Sequence, residues 1–335
     1  MIQADLLPVI WALVIAFAIA LYVIMDGFDL GIGILFPFAP SHADRDTMMN
    51  SVAPVWDGNE TWLVLGGAGL FAAFPLAYSV ILSATYIPII VMLLALVLRG
   101  VAFEFRFKAE KSRFLWDIAF AAGSTLAALA QGFVLGAFID GIRVIDGRFV
   151  GGAFEWLTPF NGMTALGLVA GYALLGSTWL IWKTEGGLQR WSRQRARVLL
   201  LAVLFFVAVV SLWTPLSHEA IAARWFAWPN LLYLSPVPVV TGTLALLLWR
   251  GLGQERELAP FLLTIGLFLL SFLGLGISLW PYAVPPEMTI WDAAAQPESQ
   301  IFMLVGVVLL IPLILAYTAY SYWVFRGKVG GDFYR

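Results

Sequence analysis

The stretch Leu6–Gly33, LLPVIWALVIAFAIALYVIMDGFDLGIG, decides the architecture. Twenty consecutive residues, Leu6 to Met25, carry no charge, and a helix needs about 20 mostly apolar residues to cross a bilayer. Nothing basic precedes the run and no small-x-small cleavage pattern closes it, so it reads as a first membrane helix, not a cleaved signal peptide. The same apolar segment then takes in two acids, Asp26 and Asp29, among glycines 27, 31 and 33.

The rest of the chain repeats the apolar pattern. Hydrophobic residues make up 61% and charged residues 12%, whereas a soluble domain carries about a quarter charged residues. No soluble fold of 335 residues has interior enough to hide that much apolar surface. Segments of spanning length lie near 8–37, 54–76, 79–102, 115–139, 159–182, 197–216, 230–249, 259–280 and 300–325. The expectation is an all-α integral membrane protein, a nine-helix transmembrane bundle forming one polytopic domain over 1–335. Between the second and third segments only Phe74-Pro75-Leu76-Ala77-Tyr78 intervenes, and Pro75 favours a tight reversal there.

Loop charges predict an orientation. Alternate loops hold Arg45; Arg106, Lys108, Lys111 and Arg113; Lys183, Arg190, Arg193, Arg195 and Arg197; and Arg250 and Arg256. The tail adds Arg326, Lys328 and Arg335. The opposite loops hold only Arg143, Arg148 and Arg224. Basic loops stay in the cytoplasm, so the N-terminus is expected outside and the C-terminus in the cytoplasm. The basic residues form no stripe, and no nucleic-acid partner is expected.

Cysteine is absent and only His42 and His218 are present. Disulfides, thiolate metal sites and iron–sulfur ligation are excluded, and a chain ligating several haems would need more histidines. Both histidines read as solvated loop residues. There is no HExxH, P-loop or nucleophile-elbow pattern, and Gly66-Gly67-Ala68-Gly69 in an apolar helix reads as close packing.

The candidate chemistry therefore rests on charges at membrane depth. An Asp at a helix centre costs on the order of 3 kcal/mol on insertion scales, so it must be paired, protonated or hydrated. Asp26 and Asp29, three apart, share a helix face. They either work in a polar site or cap and bend the helix near the interface. Asn50–Trp62, NSVAPVWDGNETW, opens the second segment with Asp57 and Glu60 flanked by Trp56 and Trp62. An acid in a first helical turn is favoured by the dipole, which accounts for one acid but not two plus an Asn. Leu98–Arg106, LRGVAFEFR, ends the third segment and contains Arg99, the most embedded cation. It either snorkels to the inner surface or pairs with a carboxylate. By topology Asp29, Asp57 and Arg99 share one depth. Trp280–Ala294, WPYAVPPEMTIWDAA, reads as an outer docking or closing loop.

These stretches together, with DGFDLG, FAAFP and the closing LILAYTAYSYW (Leu313–Trp323), resemble subunit II of the cytochrome bd-type quinol oxidases. The resemblance runs from the first helix to the last. It implies a haem-bearing partner, subunit I, that carries the quinol site and all three haems, two haem b and one haem d, with none ligated by this chain. It also implies oxidation of ubiquinol or menaquinol coupled to reduction of dioxygen to water, in a bacterial cytoplasmic membrane, with lipid around the bundle and room for a small single-helix accessory subunit. Asp57 matches the family acid on a proton path from the cytoplasm, Asp29 and Arg99 match partners in the same polar cavity, and Trp62 matches an aromatic near a route for dioxygen. Asp26 and Glu60 join the candidate path on their position alone. Two other readings fit the residues: a proton-coupled secondary transporter, and a purely structural oxidase subunit whose acids only hold an interface.

Overall fold

The chain winds into long helices joined by short connections, in a computed structural model that describes residues 2–329. In order these are α1 (Ile2–Leu35), α2 (His42–Val52), α3 (Trp56–Ala73), α4 (Pro75–Arg106), α5 (Arg113–Asp140), α6 (Pro159–Lys183), α7 (Gly186–Ser217), α8 (Glu219–Phe226), α9 (Asn230–Leu234), α10 (Pro236–Gly251), α11 (Leu258–Leu279) and α12 (Pro297–Val324). Two small hairpins, β1–β2 (Val144–Ile145 with Arg148–Phe149) and β3–β4 (Tyr282–Val284 with Met288–Thr289), sit in connections. Local signals set many of the starts. Proline occupies the first turn of α4, α6, α10 and α12, where its missing N–H costs nothing. Ser41 caps α2 by accepting from the Asp44 amide at 3.1 Å, and Thr158 caps α6 by accepting from that of Asn161, also at 3.1 Å.

Among the described residues, eight helical segments are long and apolar enough to cross a membrane. The expected count of nine is not reached on that criterion. The segment near 54–76 does fold as a helix, α3, but Asp57, Asn59 and Glu60 fill its first turns and lower its apolarity. Pro75 does force a tight reversal: one residue, the buried Phe74, separates α3 from α4. The stretch 183–197, expected as a loop, is largely helix, because α7 begins at Gly186. At 1.5 Å per residue its 32 residues span about 48 Å, against a hydrocarbon core of about 30 Å. The basic first turns of α7 can therefore stand clear of the apolar layer.

Glycines set how the helices meet. α1 packs on α3, α5 and α6, α4 on α5, and α6 on α7. A Cβ at Gly31 would lie 1.8 Å from the Tyr172 carbonyl oxygen, and one at Gly176 2.6 Å from the Gly31 carbonyl carbon. The α1 and α6 backbones thus touch, as small residues permit within membranes. Gly132 and Gly136 of α5 meet Ala165 and Asn161 of α6 in the same way. The result buries the second half of α1 from Asp26 to Gly33 on every side.

The connections gather at two ends. At one, Trp11, Phe74, Ile142, Val284 and Ile290 form a single apolar cluster. There the Ala295 amide donates to the Ala73 carbonyl at 2.8 Å and the Ile142 amide to the Pro285 carbonyl at 3.0 Å. The 280–294 stretch thus closes the ends of α3 and α5. At the other end Arg193 of α7 donates to the carbonyls of Gln254 and Arg256, both at 2.8 Å, and Lys328 pairs with Glu257 at 2.7 Å.

Candidate functional site

Three helices deliver polar groups to one buried level. α3 presents two faces: Asn59 and Trp62 turn inward and are buried, while Asp57, Thr61, Val64, Ala68 and Phe71 form an exposed stripe. Asp26 and Asp29 come from the enclosed half of α1, and Arg99 from a buried stripe of α4 that includes Ala95, Leu96, Ala102 and Phe103.

Arg99 is the centre of the arrangement. Its guanidinium is wholly buried and donates to Asp26 Oδ1 at 2.7 Å and to Glu60 Oε2 at 3.1 Å. It lies 5.9 Å from the Trp56 ring, which stacks on Phe103. Burying such a cation is strongly unfavourable unless carboxylates and further hydrogen bonds compensate, and two carboxylates do so here. Asp26 is as deeply enclosed as Arg99, whereas the Glu60 side chain keeps 27% of its surface exposed. The pair therefore joins the interior of the bundle to its outer face.

Asp29 sits beside this pair without touching Arg99. It accepts from Asn59 Nδ2 at 2.8 Å, and the same amide donates to the Met25 carbonyl at 3.3 Å. The Tyr322 hydroxyl, from α12, donates to Asn59 Oδ1 at 2.8 Å. A second polar chain lies beyond Tyr22, one turn before Asp26: Tyr172 donates to Gln131 Oε1 at 2.7 Å, and Gln131 Nε2 donates to the Tyr22 oxygen at 2.6 Å. One carboxylate oxygen on each of Asp26 and Asp29 is buried with no partner among the described residues.

The predicted residues thus fall into three groups. Asp26, Glu60 and Arg99 form one ion-paired unit, with Asp26 and Glu60 as the cation's partners. Asp29, three residues after Asp26 on α1, is held separately by Asn59. Asp57 is exposed at the start of α3, near enough for its charge to act on Glu60, and outside the Arg99 pair. Trp62 is fully buried, edge-on to Phe17 at 5.9 Å and packed with Ala18 and Tyr22. Tyr322 and Gln131 carry no sequence signal that separates them from neighbouring polar residues in apolar helices; only the packing selects them.

A second ionic cluster, absent from the sequence reading as a site, ties α2 to the α4–α5 turn. Arg106, fully buried, donates to Asp117 at 2.5 Å and to Asp46 at 2.7 Å. Arg113 also reaches Asp46, and Arg45 reaches Asp117 at 3.2 Å. Burial pushes the Asp46 carboxyl up, but hydrogen bonds from Arg113 and Arg106 outweigh it and hold the group below the usual carboxylate range. The spacing of these charges, expected only to mark the basic side, gives no hint that they interlock.

Haem ligation does not fit this chain's donors. His42 is exposed at the first residue of α2. His218 lies at the other end of the bundle, 3.9 Å from Asp140. No cluster of metal-ligating side chains occurs among the described residues.

A family model described as cytochrome bd terminal oxidase subunit II matches residues 7–325. The chain belongs to that family. As a cytochrome bd subunit II it is part of a quinol oxidase complex, an oxidoreductase whose activity the assembled subunits carry and whose haems reside in the partner subunit I. It is 29% identical over 366 residues to subunit 2 of the cytochrome bd-I ubiquinol oxidase of Escherichia coli strain K12, covering 98% of this chain and 97% of the relative. It is 27% identical over 341 residues to subunit 2 of the cytochrome bd ubiquinol oxidase of Bacillus subtilis strain 168, covering 96% of each. The fold is similar to a chain of the bd oxidase from Geobacillus thermodenitrificans, with a TM-score of 0.80 and 18% identity over 95% of this chain and 98% of the other. This membership replaces the transporter reading.

Proposed function

We propose that this subunit carries protons from the cytoplasm toward the haem-bearing partner through Asp57, Glu60 and the Arg99 pair. One observation carries the reading: Glu60, half-buried next to the exposed Asp57, is bonded to a wholly enclosed guanidinium that also holds Asp26. A proton reaching Asp57 at the surface of α3 moves one helical turn to Glu60. Protonation of Glu60 removes half of the negative charge opposing Arg99, and Asp26 keeps the cation in place at 2.7 Å. Asp29 extends the polar level on α1. Trp62 lies in the apolar layer above, where its packing suits passage of dioxygen better than of ions.

The membrane setting follows the charges. The end bearing α2, the α6–α7 connection and residues 325–329 is the basic one, and it lies in the cytoplasm, with the N-terminus outside. α3 crosses as a ninth segment, with Glu60 paired to Arg99 of α4. The exposed stripe of α3 faces subunit I, which brings two haem b and one haem d, and dioxygen is reduced there. The electron donor is ubiquinol or menaquinol, the membrane is the bacterial cytoplasmic membrane, and lipid and a single-helix accessory subunit cover further faces.

The test uses the assembled oxidase. Asp57→Asn and Glu60→Gln are expected to leave the haem absorption spectrum intact and to lower quinol:oxygen turnover on the order of tenfold or more, as loss of a proton-transfer group does. Full turnover in both variants sinks the proposal. The structural reading has its own support, because the Arg99–Asp26 pair pins α1 to α4. It is favoured if these variants lose haem and turnover together.

A further inference from the structure

A cavity of about 220 Å³ opens between α2, the end of α6 and the end of α12, lined by Asn50, Ser51, Trp179, Lys183, Tyr322 and Lys328. A water's share of liquid volume is about 30 Å³, so it has room for several waters. Its lining mixes apolar side chains with polar groups: Ser51 Oγ accepts from Trp179 Nε1 at 3.3 Å, and Asn50 Oδ1 is buried without a partner among the described residues. Tyr322 is one of the lining residues. Beyond its hydroxyl is Asn59, and beyond Asn59 is Asp29. The cavity thus leads toward the same acid from a side that does not involve Asp57 or Glu60.

We propose that this cavity is a second aqueous approach to Asp29, and that the Asn59 amide, held by Tyr322, closes it to protons. Both ends of the amide are committed. Its nitrogen faces two acceptors, the Asp29 carboxylate and the Met25 carbonyl, and its oxygen faces the Tyr322 donor. That pattern sets which end is which. A carboxamide donates and accepts hydrogen bonds but neither ionises nor exchanges a proton along them in the neutral range; a relay would have to pass through its imidic-acid form. A hydroxyl or carboxyl group in the same place would pass protons on. Asn59 is therefore a positioning residue that orients Asp29 and separates it from the cavity, so that Asp29 is left to exchange protons only on the side of Asp26, three residues before it on α1, and Glu60. This rests on the proton route proposed above.

Two measurements test it in the assembled oxidase. The subunit has no cysteine, so Asn50→Cys supplies its sole thiol. A cationic methanethiosulfonate is expected to label Asn50→Cys from the cytoplasmic side and to spare Val52→Cys, which is fully buried on the same helix. Equal, negligible labelling of the two overturns the aqueous approach. Second, Glu60→Gln is expected to slow turnover, and adding Asn59→Asp or the uncharged Asn59→Ser is expected to restore about half or more of it, because a carboxyl or hydroxyl can relay where an amide cannot. If Glu60→Gln slows turnover and neither double variant recovers with haem intact, the closure is wrong and the route stands. If Glu60→Gln alone runs at full rate, the route itself falls and the closure with it.

Discussion

Replacing Arg99 by Met removes the cation shared by Asp26 and Glu60 and leaves Asp26 charged and enclosed. Breaking a buried pair in this way costs about 3–5 kcal/mol, so the Arg99→Met oxidase is expected to unfold at a clearly lower temperature, followed by its haem absorbance. Adding Asp26→Leu removes the stranded charge and is expected to recover most of that stability. If the double variant is no more stable than the single one, the pair is not what holds this level together. Asp46 makes a prediction in pH. Its carboxyl is held below its unfolded value, so the unfolded chain binds more protons and the contribution to stability is fully present above the ordinary carboxylate pKa. It is lost as pH falls through the depressed folded value. Hydrogen exchange in α2 is expected to quicken on acidification below about pH 4, and Asp46→Asn to remove that dependence. An unchanged acid response in Asp46→Asn would refute it. The acids and Arg99 were legible in sequence as charges out of place. Their pairing was not, because residues 26, 60 and 99 meet only through helix packing.

At the scale of elements, the α1–α6 crossing is the contact with least tolerance. A side chain at Gly31 would run into the Tyr172 carbonyl, while one at Gly67 of α3 meets nothing within 4 Å. Gly31→Leu is expected to separate the two helices and cost at least about 1–3 kcal/mol, the usual penalty of overpacking. Gly67→Ala is expected to be nearly silent in the isolated chain. Yields of assembled, haem-loaded oxidase compare the two, and equal yields would contradict the crossing. Glycines 27, 31 and 33 are small enough to let another backbone approach closely. Which helix approaches could not be read, since α5, α6 and α11 are all apolar and glycine-bearing. The extension of α7 past the expected loop is a further limit: hydropathy marks where lipid contact ends, while backbone hydrogen bonding continues through Arg190 and Arg193.

For the whole molecule, the division of loops between two ends yields a topological test. Single cysteines at Arg148, in the β1–β2 hairpin, and at Arg190, near the start of α7, are expected to react with an impermeant thiol reagent from opposite sides of sealed vesicles. The Arg148→Cys site is expected to react from outside and Arg190→Cys from the cytoplasm. The reverse pattern overturns the orientation and places the acids at the wrong surface for cytoplasmic uptake. α12 belongs to this scale too. It is apolar, and Gln300 is its one fully buried described residue; Met303, Leu304, Val307, Ile314 and Tyr322 pack on the bundle, and the exposed remainder of its surface is left to lipid or a partner.

The sequence by itself determined that the chain is a helical membrane protein and singled out a few charges embedded in its apolar segments. It also carried the family, through motifs spread from the first helix to the last. Each of these is a local or cumulative property, set by how a residue's side chain partitions between water and lipid. Only the tertiary structure decided that Asp26 and Glu60 hold Arg99, that Asn59 and Tyr322 hold Asp29, and that Asp57 stays on the surface. Those assignments depend on the rotation of each helix about its axis, which backbone contact at glycines fixes to within a fraction of a turn and which hydropathy does not encode.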